Sequence, residues 1–189
     1  MNATKLQKLG IDCRTDIPVD AVYYPEAAGQ YGVTEEGIEK LKILGEVINE
    51  FLTEKIPQGE RVDNSLKAAE ILSPLFKGKT NEELWILCLD NKLNLKKAVL
   101  ISKGVINYTL IDKRKIILEM LNCKASSMIM AHNHPSGKVE PSQNDLQETE
   151  KVRKVLKMFD MSLSDHIIIG NDKYYSFADE EVAELPPQE

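Results

Sequence analysis

Cysteine is scarce in this chain: Cys13, Cys88 and Cys123 are the three present, and no two of them form a CxxC pair. That scatter excludes a disulfide framework and a thiolate zinc cage, and it leaves small side chains expected to lie buried in a reducing cytoplasm. Long apolar runs are missing as well. No stretch approaches the roughly 18 apolar residues needed to span a bilayer, and no apolar segment follows Met1-Asn2-Ala3-Thr4-Lys5 as it would in a secretory leader. A soluble, cytoplasmic protein with no membrane partner is the expectation. Positive charge is not in excess either: 24 Lys+Arg against 30 Asp+Glu give a net charge of -6. This argues against a protein whose main work is neutralising phosphates, so the balance does not support nucleic acid as a partner except through a local basic patch. No internal repeat or long low-complexity tract is visible. At 189 residues the chain accommodates one ordinary domain with an extension, or two very small ones.

What is present changes character along the chain. Residues 1 to about 30 show little periodicity and are punctuated by Pro18, Pro25 and Gly29, which predicts irregular or weakly helical structure. From Thr34, a suitable cap ahead of Glu35 and Glu36, the spacing of Ile38, Leu41, Leu44, Ile48 and Phe51 predicts a helix. The stretch Ile56-Pro57-Gln58-Gly59-Glu60 ends it and marks a boundary, dividing a helical N-terminal extension (1–61) from a second domain (62–189). That domain opens with a helix capped by Asn64 or Ser65, with Leu66, Ala69 and Leu72 on one face. Leu84 to Leu89 is too short and too uniformly apolar for a surface helix and reads as a buried strand, with Ala98 to Ile101 as its neighbour. A helical stripe of Ile116, Ile117, Met120 and Leu121 precedes an interior strand, Ser127 to Ala131, that runs into His132. A polar loop then leads to a helix from about Ser142 to Phe159, with Leu146, Val152, Leu156 and Phe159 expected inward. Two strands, His166 to Ile169 and Tyr174 to Phe177, close the domain. Strands alternating with helices imply an α/β or mixed α+β fold, a sheet covered by helices.

The chemistry concentrates at the end of the second interior strand. In His132-Asn133-His134 two imidazoles stand two residues apart, so an extended backbone sends both from one face toward one ion. Asp145, in the first turn of the next helix, supplies a third ligand whose ionised form the helix dipole favours. Three N and O ligands leave a fourth tetrahedral position for water, the pattern of a catalytic zinc site with bonds of about 2.0–2.2 Å. Zinc lowers the pKa of bound water from about 15.7 towards about 7, and a general base is still required. Glu82-Glu83, just before the first buried strand, places one carboxylate at the sheet edge for that purpose.

Each residue also has an ordinary structural explanation. Ser142-x-x-Asp145 is a good capping box, and capping and ligation are compatible. Glu82 and Glu83 read equally well as solvated charges at the head of a strand. His166 reads as a group that hydrogen-bonds and orients a metal ligand or, by default, as a hydrogen-bonded structural histidine. The letters His-Asn-His do not signal an HNH nuclease, whose residues are spread over a hairpin and helix. A zinc nucleobase deaminase would need H-x-E and P-C-x-x-C, and the chain has neither.

His132-x-His134, seven intervening residues and Ser142-x-x-Asp145 resemble the JAMM motif of JAB/MPN metalloproteases. The fuller strings AHNHPSG, EPSQND, DHIIIG and YYSF resemble the bacterial RadC family from about Val62 to the C-terminus. The resemblance implies an MPN fold, one Zn2+ per chain held by His132, His134 and Asp145, and Ser142 helping to stabilise a tetrahedral oxyanion. Counting back from Leu89-Asp90, it places the family's catalytic glutamate at Glu82, with Glu83 as the fallback. The implied reaction is attack of zinc-bound water on an amide or isopeptide carbonyl of a peptide or protein, with Glu82 taking the water proton. Two departures stand out. Lys113-Arg114-Lys115 occupies the place of the usual Pro-Arg-Glu. Tyr31-Gly32-Val33 and the helix after it resemble only the second half of the family's helix-hairpin-helix segment, so DNA binding is not carried over. The rival from another class is a non-catalytic MPN scaffold that associates with protein or DNA in a repair context.

Overall fold

A computed structural model describes residues 1–22, 25–104 and 111–186. The chain folds as two compact units, one formed by Met1–Lys55 with Gly78–Thr80 and the other by Ile56–Lys77 with Asn81–Glu189.

The first unit is helical. The stretch expected to be irregular or weakly helical contains α1 (Ala3–Lys8), capped by the Asn2 side chain, and two 3-10 helices, Val19–Val22 and Pro25–Tyr31. In α2 (Glu35–Glu54) the Thr34 hydroxyl accepts the Gly37 N–H at 3.2 Å, the cap expected from sequence and worth about 1 kcal/mol. Leu41 is fully buried, and Leu6, Ile11, Ile17 and Ala28 complete its core. Gly45 is required by close approach: a Cβ there would lie 2.3 Å from the Val22 carbonyl oxygen. Phe51, expected to continue the inward stripe, is exposed.

The second unit is a six-stranded sheet with helices, a mixed α+β fold. Its strands are β1 (Glu83–Leu89), β2 (Leu95–Lys103), β3 (Ser127–Asn133), β4 (Ser162–Ile169), β5 (Lys173–Ser176) and β6 (Glu181–Glu184), in the order β2-β1-β3-β4-β5-β6. β3 and β4 are parallel and the other pairs antiparallel. Every residue of β1 and β3 is buried, which explains the apolar runs Leu84 to Leu89 and Met128 to Ala131 within them: central strands covered on both faces have no solvent side to mark with polar residues. Residues 56–61, assigned to the extension from sequence, belong to this unit because Gly59, Glu60 and Val62 exchange backbone hydrogen bonds with Leu93 and Leu95.

Among the described residues, three helices cover the sheet. α3 (Ser65–Phe76), capped by Asn64, packs on β3 and β4. α4 (Lys113–Asn122) and α5 (Gln143–Lys157) share a core with Leu84, Ile86, Cys88, Met128 and Met130, which alternate along one face of β1 and β3. Burying each such large side chain contributes about 1.5–3 kcal/mol.

Four apolar residues expected inward are exposed instead: Leu66, Leu121, Leu146 and Phe159. In α5 the buried stripe is Asp145, Glu148, Thr149, Val152 and Leu156. Its first half is polar, so hydropathy alone sets the helix rotation wrongly there. Leu121 and Phe159 line a surface groove of about 420 Å³ between α4 and α5, together with Ile117, Leu118 and Val155. Among the described residues no helix is long and apolar enough to cross a membrane, and Cys13, Cys88 and Cys123 are free thiols.

Candidate metal centre

The centre forms where β3 ends and α5 begins. His132 is the penultimate residue of β3 and is 3% exposed, while His134 lies just past the strand, with its N–H on the Ile169 carbonyl of β4. The extended backbone sends both rings to one side, and their Nε2 atoms stand 3.0 Å apart. The loop beyond His134 turns at Gly137, whose φ is +78°, and lies against the β4–β5 turn: a Cβ on Gly170 would meet the Gly137 carbonyl oxygen at 2.5 Å. This turn brings the Lys138 carbonyl to 2.8 Å from His134 Nδ1. A carbonyl only accepts, so Nδ1 carries a proton, and the neutral form of the ring has its lone pair on Nε2.

Asp145 closes the cluster. Ser142 caps α5 by accepting the Asp145 N–H at 3.1 Å, while its own N–H and hydroxyl donate to Asp145 Oδ2 at 2.7 and 2.6 Å. With Oδ2 so held, Oδ1 lies 3.3 Å from His132 Nε2, and Oδ2 is 3.7 Å from His134 Nε2. The capping box and the ligand cluster thus use the same carboxylate. One ligand atom from each of His132, His134 and Asp145 lies within 4.8 Å of the others, a group able to hold a metal ion. Burial pushes the His132 imidazole down to about 4, partly opposed by the Asp145 charge and reinforced by His134, so the ring is neutral at physiological pH.

Further groups surround the cluster. His166 Nε2 is 2.9 Å from His132 Nδ1, and its Nδ1 is 2.7 Å from the Thr149 hydroxyl. The His166 ring stacks on Phe177 at 4.5 Å. Burial holds this imidazole well below its ordinary value, with His132 and His134 acting in the same direction. Next to it, burial raises the Asp165 carboxyl against the bonds it accepts from Ser176, Ala178 and the His166 N–H. Thr149 was not singled out from sequence, although its position four residues after Asp145 places it one helical turn further along the same face.

Register separates the two glutamates. Leu84 pairs with His132 across β1 and β3, so by alternation Glu82 belongs to the face of His132 and His134, and it is half-buried. Glu83 belongs to the other face. It is fully buried, accepts the Trp85 indole N–H at 3.1 Å, and donates its own N–H to the Asn133 side chain at 2.7 Å. Lys115, where the resemblance implies a carboxylate, donates to the Leu100 and Ile101 carbonyls at 2.8 Å each and ties α4 to β2.

Comparison with known proteins gives the family. Residues 62–182 match the model of the RadC-like JAB domain. The chain belongs to that family. A UPF0758 protein of Porphyromonas gingivalis is 37% identical over 129 residues, covering 68% of this chain and 57% of the relative. One from Flavobacterium johnsoniae is 37% identical over 127 residues, 67% of this chain and 56% of the relative. One from Pasteurella multocida is 35% identical over 140 residues, 74% of this chain and 62% of the relative. The chain therefore spans less than two thirds of the length of these relatives. Their names state no activity, so for this RadC-like domain the chemistry rests on the residues themselves.

Proposed function

We propose that this RadC-like domain is a zinc-dependent hydrolase of the JAMM type, acting in the cytoplasm on an amide bond, peptide or isopeptide, of a peptide or protein. One observation carries the reading: two imidazole Nε2 atoms and a carboxylate converge at separations of 3.0 to 3.7 Å. Ligand atoms bonded to zinc at about 2.0–2.2 Å in a tetrahedron lie about 3.3–3.6 Å apart, so the donor set fits in number and type, and the 3.3 Å between His132 Nε2 and Asp145 Oδ1 falls in that range. Bound there, zinc would supply Lewis acidity and a nucleophile derived from water near neutral pH. The chain's own groups do the rest. His132, His134 and Asp145 hold the ion, and the buried His132 offers a neutral ring for it. Glu82, on the same face of the sheet, takes a proton from the attacking water and returns it to the leaving amine nitrogen. Ser142 serves the developing oxyanion when its hydroxyl proton turns from Asp145 Oδ2 to the substrate oxygen.

The test is zinc per chain by elemental analysis, on wild type and His134→Ala purified side by side without added metal. About one zinc in wild type and far less in the variant is expected, followed by zinc-dependent cleavage of amide substrates. Equal or absent zinc in both would overturn the reading in favour of a non-catalytic scaffold that associates with protein or DNA.

A further inference from the structure

The proton on His132 decides whether this cluster is a metal site or an ordinary pair of hydrogen-bonded histidines. If His132 carries its proton on Nε2, it donates to the His134 lone pair 3.0 Å away and the cluster is satisfied by itself. If the proton is on Nδ1, two nitrogen lone pairs and a carboxylate face one another, the donor set that a bound cation satisfies.

The hydrogen bonds behind His132 settle this, and the count starts in the backbone of α5. The Thr149 hydroxyl lies 2.5 Å from the Asp145 carbonyl oxygen, which only accepts, so its single proton is spent there. Toward His166 Nδ1, at 2.7 Å, it therefore accepts, and His166 must carry its proton on Nδ1. A neutral imidazole has one N–H, so His166 Nε2 is an acceptor. His132 Nδ1, at 2.9 Å, must then donate to it, leaving His132 Nε2 as a lone pair beside Asp145 Oδ1 and His134 Nε2. The stacked Phe177 ring holds the plane of His166, and the partners of its two nitrogens select the orientation of the ring within that plane.

We infer that Thr149 and His166 are positioning residues which, from a main-chain carbonyl of α5, set the tautomer of His132 and so present its Nε2 as a metal-binding lone pair. The inference rests on the zinc reading for its purpose, but its geometry is independent of any ion. Asp145 takes part twice, through its carboxylate on one side of the cluster and through its carbonyl at the origin of the relay.

The chain has three histidines, all in this cluster, so their ring nitrogens are assignable in long-range proton–nitrogen NMR spectra of the intact, chelator-treated protein at mildly alkaline pH. His132 is expected with its proton on Nδ1. In Thr149→Val a buried Nδ1–H on His166 would lose its acceptor, so His166 should move its proton to Nε2 and drive the His132 proton to Nε2. Zinc affinity, measured by competition with a chromophoric chelator, should fall about 10–100-fold with it. Thr149→Ser should restore both. A wild-type His132 protonated on Nε2 would overturn the inference without need of any variant. So would Thr149→Val with unchanged tautomers and unchanged zinc affinity. Correct tautomers in a wild type that takes up no zinc would uphold the relay and remove the zinc reading, so the two failures are distinguishable.

Discussion

On one face of the β1–β3 pair, Glu82 shares its side with His132 and His134; on the other, its neighbour Glu83 is bound into the structure by Trp85 and Asn133. The two carboxylates are adjacent in sequence and identical in chemistry, yet alternation along an extended chain gives them opposite surroundings. Asn133 shows the same division between the two imidazoles that flank it. Its side chain points to the Glu83 face, accepts the Glu83 N–H and donates to the Asn81 carbonyl at 3.1 Å, which holds the edge of the sheet. One face of this short segment carries the proposed chemistry and the other carries its support.

The sharpest way to break that comparison is Glu82→Gln. Zinc content should stay at wild-type level while hydrolysis falls by about 10²–10⁴-fold, the usual contribution of a positioned general base. Undiminished turnover with normal zinc would remove Glu82 from the mechanism and with it the contrast between the faces. Glu83→Ala should do the reverse. Leaving the buried Trp85 indole N–H without its acceptor is expected to cost about 1–3 kcal/mol in denaturant unfolding, with zinc stoichiometry kept. Loss of zinc in a folded Glu83→Ala protein would show that the two faces are not separate.

The smallest expected effect lies further along α5. Burial alone would raise the Glu148 carboxyl, but hydrogen bonds and charge from Lys113 and Lys151, both at 2.7 Å, bring it below its ordinary value of 4.5. A carboxylate depressed in the folded state contributes stability that is present above its unfolded value and lost as pH falls through the folded one. Glu148→Gln is therefore expected to cost about 1–2 kcal/mol near neutral pH. The difference from wild type should shrink below about pH 4.5, and stability-versus-pH curves of the two proteins check it. A gap that widens in acid would contradict the assigned direction.

Much of this was legible in the residues. The uniform apolar runs of β1 and β3 identified buried strands, and Thr34, the pair Asn64-Ser65 and Ser142 marked helix starts because each offers a side-chain oxygen able to accept an exposed N–H of the first turn. The histidine pair and Asp145 were legible because their spacing matches one strand and one helical turn. The outward turn of Leu146 was not, since the first turns of α5 bury Asp145, Glu148 and Thr149 in its place, nor was that of Phe159, which lies beyond the end of the helix. β6 was also missed, its Glu181-Val182-Ala183-Glu184 being too polar and short to register as a strand.

By itself, then, the sequence determined most of the elements, the family and the identity of the three convergent side chains, all of which depend on local spacing along the chain. Only the tertiary structure decided which glutamate shares the histidine face, because that depends on cross-strand register. It alone joined Thr149, His166 and His132, because hydrogen bonds link residues on two strands and a helix whose proximity no local pattern records.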